Sequence, residues 1–281
     1  MAIVVNSNIA SMNAQRNLGK SQGDLATSMQ RLSSGLRINS AKDDAAGLFS
    51  AELMTSDIRG LNQAVRNAGD GISLAQTAEG AMAEIGNNLQ RIREIAVQSA
   101  NSTTENRDGL QLEVDQLTQE ISRIVQTTEY NGKLVLSGGV DLTFQVGSKG
   151  QANNQIAVKG VALETSLSAG GGYGTSLTAT GTVNVSSEGS SSAALGQLDD
   201  AIKSLASTRS TYGAVQNRFD AVISNLQNYS ENLSAGRSRI QDADFAAETS
   251  KLTRAQILSQ AGTSIVAQAN QLPQSALSLL G

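Results

Sequence analysis

The chain has 281 residues, and its 21 basic and 25 acidic side chains are spread along the whole length for a net charge of −4, so no basic stripe is offered to nucleic acid. It has neither cysteine nor histidine, which removes disulfides, thiolate nucleophiles, the commonest zinc ligand and the commonest general base at neutral pH. Hydrophobic residues make up 39% but aromatics only 3%, so Ala, Leu, Ile and Val must do the packing, which suits narrow helix–helix interfaces better than a thick core.

The first residues, Met1-Ala2-Ile3-Val4-Val5-Asn6, lack the basic flank and long apolar run of a secretory signal peptide. No stretch approaches the roughly 20 apolar residues of a membrane span, so membrane insertion is not expected, and any export must use a route that reads no cleaved signal. Leu18, Leu25, Met29, Leu32 and Leu36 come at steps of three, four and seven, the spacing of a coiled-coil seam that requires a partner helix. The polar stretch from Arg37 to Gly47 reads as a connector, with Ser40 or Asp43 as N-cap of the next helix. Periodicity returns at Ile58, Leu61, Val65 and Ile72 and is very regular at Ala78, Met82, Ile85, Leu89, Ile92 and Ala96. Gly69, Gly71, Gly80 and Gly86 interrupt it at about 1 kcal/mol each against Ala, which predicts close approach of neighbouring backbones.

A polar break at residues 101–106 ends that helix, and Leu110, Val114, Leu117, Ile121 and Ile124 predict a second, antiparallel one. Asn131-Gly132 marks a turn, after which the period becomes two at Val140, Leu142, Phe144 and Val146, then at Ile156 and Val158, predicting a small β-hairpin region. Residues 166–192 are dominated by Ser, Gly, Thr and Ala and read as exposed, flexible or weakly β chain. Helix resumes near Ala193 and leads into a second seam at Val215, Phe219, Val222, Leu226, Tyr229 and Leu233. A polar hinge at residues 234–238 precedes a last helix with Leu258, Ile265, Leu272 and Leu279 on one side. The fold class expected is mainly α: long antiparallel helices in a coiled-coil bundle formed by the N- and C-terminal segments, with a small β-hairpin region between them.

Chemistry is largely missing from this pattern. Gly19-Lys20-Ser21 echoes a phosphate loop, but the glycine needed five residues earlier is Ala14, and the segment is helical by pattern. The pairs Asp43/Asp44 and Asp199/Asp200 sit at apparent helix starts, where the helix dipole favours negative charge. Four matches to the N-glycosylation acceptor pattern are expected by chance in a chain so rich in Asn and Ser. No catalytic, cofactor-binding or metal-binding set can be written, and an enzyme is not expected.

Longer motifs carry a resemblance. Ile9-Ala10-Ser11-Met12-Asn13-Ala14-Gln15-Arg16-Asn17-Leu18, residues 31–39 (RLSSGLRIN), residues 43–47 (DDAAG), residues 67–73 (NAGDGIS), residues 89–98 (LQRIREIAVQ), residues 267–274 (AQANQLPQ) and residues 277–280 (LSLL) together resemble the two ends of bacterial flagellins, over roughly residues 1–145 and 193–281. The resemblance implies an inner coiled-coil layer from residues 1–42 and 240–281, a rod layer from 43–175 and 190–239 with its β element at about 130–165, and a minimal outer segment at 176–189. It implies polymerisation with other copies into an extracellular helical filament for motility, with terminal helices that are disordered in the monomer and order on assembly. A hook–filament junction protein is the alternative. Implied partners are a flagellar export chaperone at the C-terminal helices, cap and hook-junction proteins, and Toll-like receptor 5 through Arg91, Ile95 and Glu113. One departure stands out: flagellins usually carry a more polar segment where this chain has residues 48–54 (LFSAELM), and often a basic residue where it has Leu53. Phe49 and Leu53 are therefore expected to pack differently and to bias filament curvature.

Overall fold

The structure, a computed structural model, describes residues 8–161, 163 and 183–278, with side chains described as far as Gln271. Five long helices account for most of it: α1 (Ile9–Ser34), α2 (Ala45–Ser99), α3 (Arg107–Thr127), α4 (Glu188–Gln241) and α5 (Phe245–Ser278). Two antiparallel strand pairs lie between α3 and α4: β1 (Glu129–Tyr130) with β2 (Lys133–Leu134), and β3 (Leu142–Gln145) with β4 (Gln155–Val158). The fold is mainly α, as the periodicity predicts. Contacts divide the chain into two units, one of Met1–Asp57 with Glu231–Gly281, the other Ile58–Ser230.

The larger unit has a continuous core. Along α2 the regular stripe Ala78, Met82, Ile85, Leu89, Ile92 and Ala96 is almost wholly buried. Val114, Ile121 and Val125 of α3 meet it, as do Ala194, Leu198, Ala201, Leu205, Tyr212 and Phe219 of α4. The α4 residues recur at steps of three, four and seven, so one narrow stripe is covered along the helix. Alternation along β4 turns Ile156 and Val158 inward. The Phe144 ring of β3 meets Phe219 edge-on, with centroids 5.6 Å apart and planes at 85°. Asn131 (φ 50°) and Gly132 (φ 71°) both take positive φ, the requirement of the tight turn joining β1 to β2.

Several boundaries differ from the sequence-based expectation. Asp44, not Ser40 or Asp43, caps α2, its Oδ1 accepting from the Gly47 amide at 2.8 Å. Asp43 instead closes a turn, accepting from the amides of Asn39 and Ser40, and these bonds hold its carboxyl below its ordinary value. Helix α4 begins at Glu188 rather than near Ala193, so Asp199 and Asp200 lie inside it and pair with Arg93 and Lys203. It also runs through the expected hinge at 234–238 to Gln241, because Ser, Ala, Gly and Arg there meet no residue that forbids helix. Of the four glycines that interrupt the periodic stretch, Gly69, Gly71, Gly80 and Gly86, only Gly71 is tightly faced: a Cβ there would lie 2.6 Å from the Phe219 ring, whereas Gly69 and Gly80 have nothing within 4 Å and Gly86 has ordinary contact with Leu205. Residues 166–182 of the Ser/Gly/Thr-rich stretch, with the first half of the expected outer segment at 176–189, lie outside the described residues; beyond them Val183 and Val185 are buried and α4 begins at Glu188, so this end is not the exposed, flexible or weakly β chain expected.

Candidate assembly surface

In the smaller unit α1 and α5 pair antiparallel. Asn8 caps α1 and its Nδ2 donates to the Ala269 carbonyl at 2.7 Å; the Ser11 hydroxyl donates to Asn270 Oδ1 at 2.6 Å, and the Ser28 hydroxyl donates to Glu248 Oε1 at 2.7 Å. Between these ends a Cβ on Gly262 would come within 3.1 Å of Leu18 Cδ1, so small residues let the helices close up. Gly35, at φ 72°, ends α1 with its amide donating to the Arg31 carbonyl. The two connectors then run together: the Arg37 amide donates to the Gln241 carbonyl at 2.7 Å, the Ala243 amide to the Gly35 carbonyl at 2.9 Å, and the Arg37 guanidinium to the Ile240 carbonyl. Ile38, 1% exposed, is the large side chain buried at this joint.

Apart from Ile38, what this unit buries is small or polar. Its buried apolar residues are Ile38, Ala51, Ala255 and Ala269, beside the polar Ser11, Ser28 and Glu248. What it exposes is large: Ile9, Met12, Met29, Phe49, Leu53, Phe245, Ile257, Leu258 and Ile265 are each more than half exposed, nine of the eleven large apolar side chains so placed among the described residues. So many large apolar side chains exposed on so small a unit mark an interaction surface. Two hollows accompany it. A shallow one of about 840 Å³ runs along α5 from Phe245 past Thr249 and Arg254 to Ile257 and Leu258. A second, of about 500 Å³, lies between α1 and α5 and is bordered by Asp24, Ser28, Arg31, Glu248, Lys251 and Arg254.

Glu248 is 4% exposed. Burial alone pushes its carboxyl up, but the Ser28 hydroxyl, Lys251 and Arg31 outweigh that and hold it below its ordinary value. Nε of Arg31 is buried without a hydrogen-bond partner, the one such side-chain atom among the described residues. No signal in the sequence marks this cluster, because Ser28, Arg31 and Glu248 each look like solvated helix residues.

The candidate site residues fall into three groups. Leu18, Leu25, Leu32, Leu36 and Leu233 are half-buried, while Met29, Leu258 and Ile265 are exposed. Val215, Phe219, Val222 and Leu226 lie in the larger unit; Phe219 is wholly buried in its core, Val215 and Val222 pack against that core, and Leu226 is 8% exposed. The side chain of Leu272 and the whole of Leu279 lie outside the described residues. Arg91 pairs with Glu113 at 2.8 Å and Glu94 at 3.0 Å on the surface, but Ile95 beside them is 0% exposed and faces the core. The expected curvature residues, Phe49 and Leu53, are 64% and 53% exposed one turn apart on α2.

Residues 5–141 match the bacterial flagellin N-terminal helical region, and residues 195–280 match the bacterial flagellin C-terminal helical region. A flagellin of Halalkalibacterium halodurans is 44% identical over 284 positions, covering 99% of this chain and 100% of that one. The chain belongs to the bacterial flagellins. It is also similar to flagellin A of Vibrio cholerae, 38% identical over 378 aligned positions with both chains covered in full. A putative flagellar hook-associated protein of Vibrio parahaemolyticus shares the fold over 71% of this chain, with a TM-score of 0.60 and 13% identity, a likeness of fold alone. As a flagellin the chain is a structural subunit of an extracellular flagellar filament that serves motility.

Proposed function

We propose that the α1–α5 pair is ordered only in the filament, where the corresponding helices of other copies cover its exposed apolar faces. The observation that carries this reading is a contrast within the pair: it buries little beyond alanine and serine while Met12, Met29, Leu258 and Ile265 stand in water. Helices with so little to pack against are marginal alone, and a chain that cannot bury its apolar residues internally must pay its ordering entropy on binding. Repetition of a head-to-tail contact that does not close a ring yields a helical filament. In this reading the free chain keeps both ends unfolded, is exported through the flagellar apparatus without a cleaved signal peptide, and has its C-terminal helix covered by a chaperone until then. The same surface meets the cap and hook-junction proteins, and Phe49 and Leu53 bias the curvature of the assembled filament. Where Toll-like receptor 5 engages the chain, it meets the Arg91–Glu113 pair rather than Ile95.

Negative-stain electron microscopy of the full chain beside a version lacking residues 240–281, both under polymerising conditions, tests the reading. Long filaments from the intact chain and none from the truncated one are expected. Filaments of equal length from both would remove α5 from the assembly surface, and none from either would favour a junction role.

A further inference from the structure

Among the charged side chains of the smaller unit that make no hydrogen bond or ion pair, two of opposite sign stand within clusters of exposed apolar groups. One is Glu52, exposed on α2 between Phe49 and Leu53. Positions 49, 52 and 53 fall on one helix face, so the three form a single projecting patch, two apolar groups with a carboxylate beside them. The other is Arg254, exposed on α5 at the border of the 840 Å³ hollow whose apolar walls are Phe245, Ile257 and Leu258. Patch and hollow are both apolar and carry opposite charges.

We propose that the Phe49–Leu53 patch of one copy seats in the α5 hollow of a second copy, with the Glu52 carboxylate against the Arg254 guanidinium. This rests on the filament reading and names a partner surface for Phe49 and Leu53 in it. The contact is heterologous, one surface giving and a different one receiving, so it propagates along a filament instead of closing a dimer. Desolvation of the two rings and the leucine supplies the attraction. The ion pair fixes the register, because a like-charged neighbour at that point opposes docking.

The test uses the full-length chain and four samples: E52R, R254E, the double variant E52R/R254E, and an equimolar mixture of the two single variants. Each is checked for native helix content by circular dichroism, and its critical concentration for polymerisation is read by sedimentation. Each single variant places like charges at the contact and is expected to raise the critical concentration about tenfold or more. In the mixture every E52R patch can meet an R254E hollow and the reverse, so alternating copolymers should form where neither variant polymerises alone. The double variant should polymerise nearly as the native chain does. Arg254 also borders the hollow that holds Glu248, so loss in R254E alone is not diagnostic; recovery by mixing is. Recovery in the double variant without recovery in the mixture would mean that the pair forms within one chain, and it overturns the proposal. So does native-like assembly of both single variants, or no recovery in either combination, while the filament reading stands in all three cases. A native chain that forms no filaments overturns both.

Discussion

The two units of this chain are built from the same kind of helix and differ in what the helices close on. In the larger unit, α2, α3 and α4 bury Met82, Ile85, Leu89, Ile92, Ile121, Leu198 and Phe219 against one another. In the smaller unit, α1 and α5 close on Ala255, Ala269, Ser11 and Ser28, half-cover Leu18, Leu25 and Leu32, and leave Met12, Met29, Leu258 and Ile265 outside. A heptad pattern therefore says that a helix wants a partner, but not whether the partner is in the same molecule. The difference lies in how many helices meet: three with a β cover can surround a stripe of large side chains, while two can only hide the residues at their line of contact.

The comparison is sharpest under truncation of a large side chain in each unit. Phe219 is wholly buried, edge-on to Phe144 and pressed on Gly71. Phe219→Ala should destabilise the free chain by about 3–5 kcal/mol in denaturant unfolding. Ile265 is 54% exposed, so Ile265→Ala should leave that unfolding curve unmoved and raise the critical concentration for polymerisation instead. Equal losses of monomer stability from the two would show that α5 already has its core in the free chain.

A smaller effect separates two glycines of α2. A Cβ at Gly71 would lie 2.6 Å from the wholly buried Phe219 ring, which must shift to admit it, so Gly71→Ala should cost about 1–3 kcal/mol. Gly69 faces open space within 4 Å, and Gly69→Ala should stabilise the helix by up to about 1 kcal/mol. Thermal melting of the two variants should therefore move in opposite directions; a shared direction would mean that propensity, not the ring, decides at position 71.

These glycines show where the sequence is readable. The stripe from Ala78 to Ala96, the Asn131-Gly132 turn and the alternation at residues 142–158 are all legible, because each arises from one local period or one backbone requirement. Which glycine meets a ring is not, since Phe219 lies 148 positions from Gly71 and only the packed structure joins them. The 215–226 stretch has the look of a seam for other copies for the same reason: a stripe covered by α2 and β3 has the same spacing as one left open. The end of α4 is not legible because polar residues do not stop a helix that neighbours hold in place. Nor is the Ser28–Arg31–Glu248 cluster, since Ser28 and Glu248 are 220 positions apart and each member is unremarkable singly.

That cluster gives the smallest effect and the one most specific to the smaller unit. Glu248 is the buried carboxylate of the helix pair; Ser28, Lys251 and Arg31 hold it ionised, and Arg254 and Asp24 border the same hollow. Its folded value lies below the ordinary 4.5, so its contribution is fully present above that value and is lost as pH falls through the lower folded one. Filament disassembly followed by light scattering should therefore steepen in acid, below about pH 4.5. Glu248→Gln keeps an acceptor for Ser28 but removes the charge facing Arg31 and Lys251, which leaves two cations beside a neutral group. The variant should disassemble more readily at neutral pH and show less added loss on acidification, so the two profiles converge in acid. Parallel profiles would place the acid sensitivity on other carboxylates and reduce Glu248 to a neutral hydrogen-bond partner. Convergence would show that two helices without a core of large side chains use a buried charge to set how they pair, which the larger unit, sealed by Phe219 and its neighbours, has no need to do.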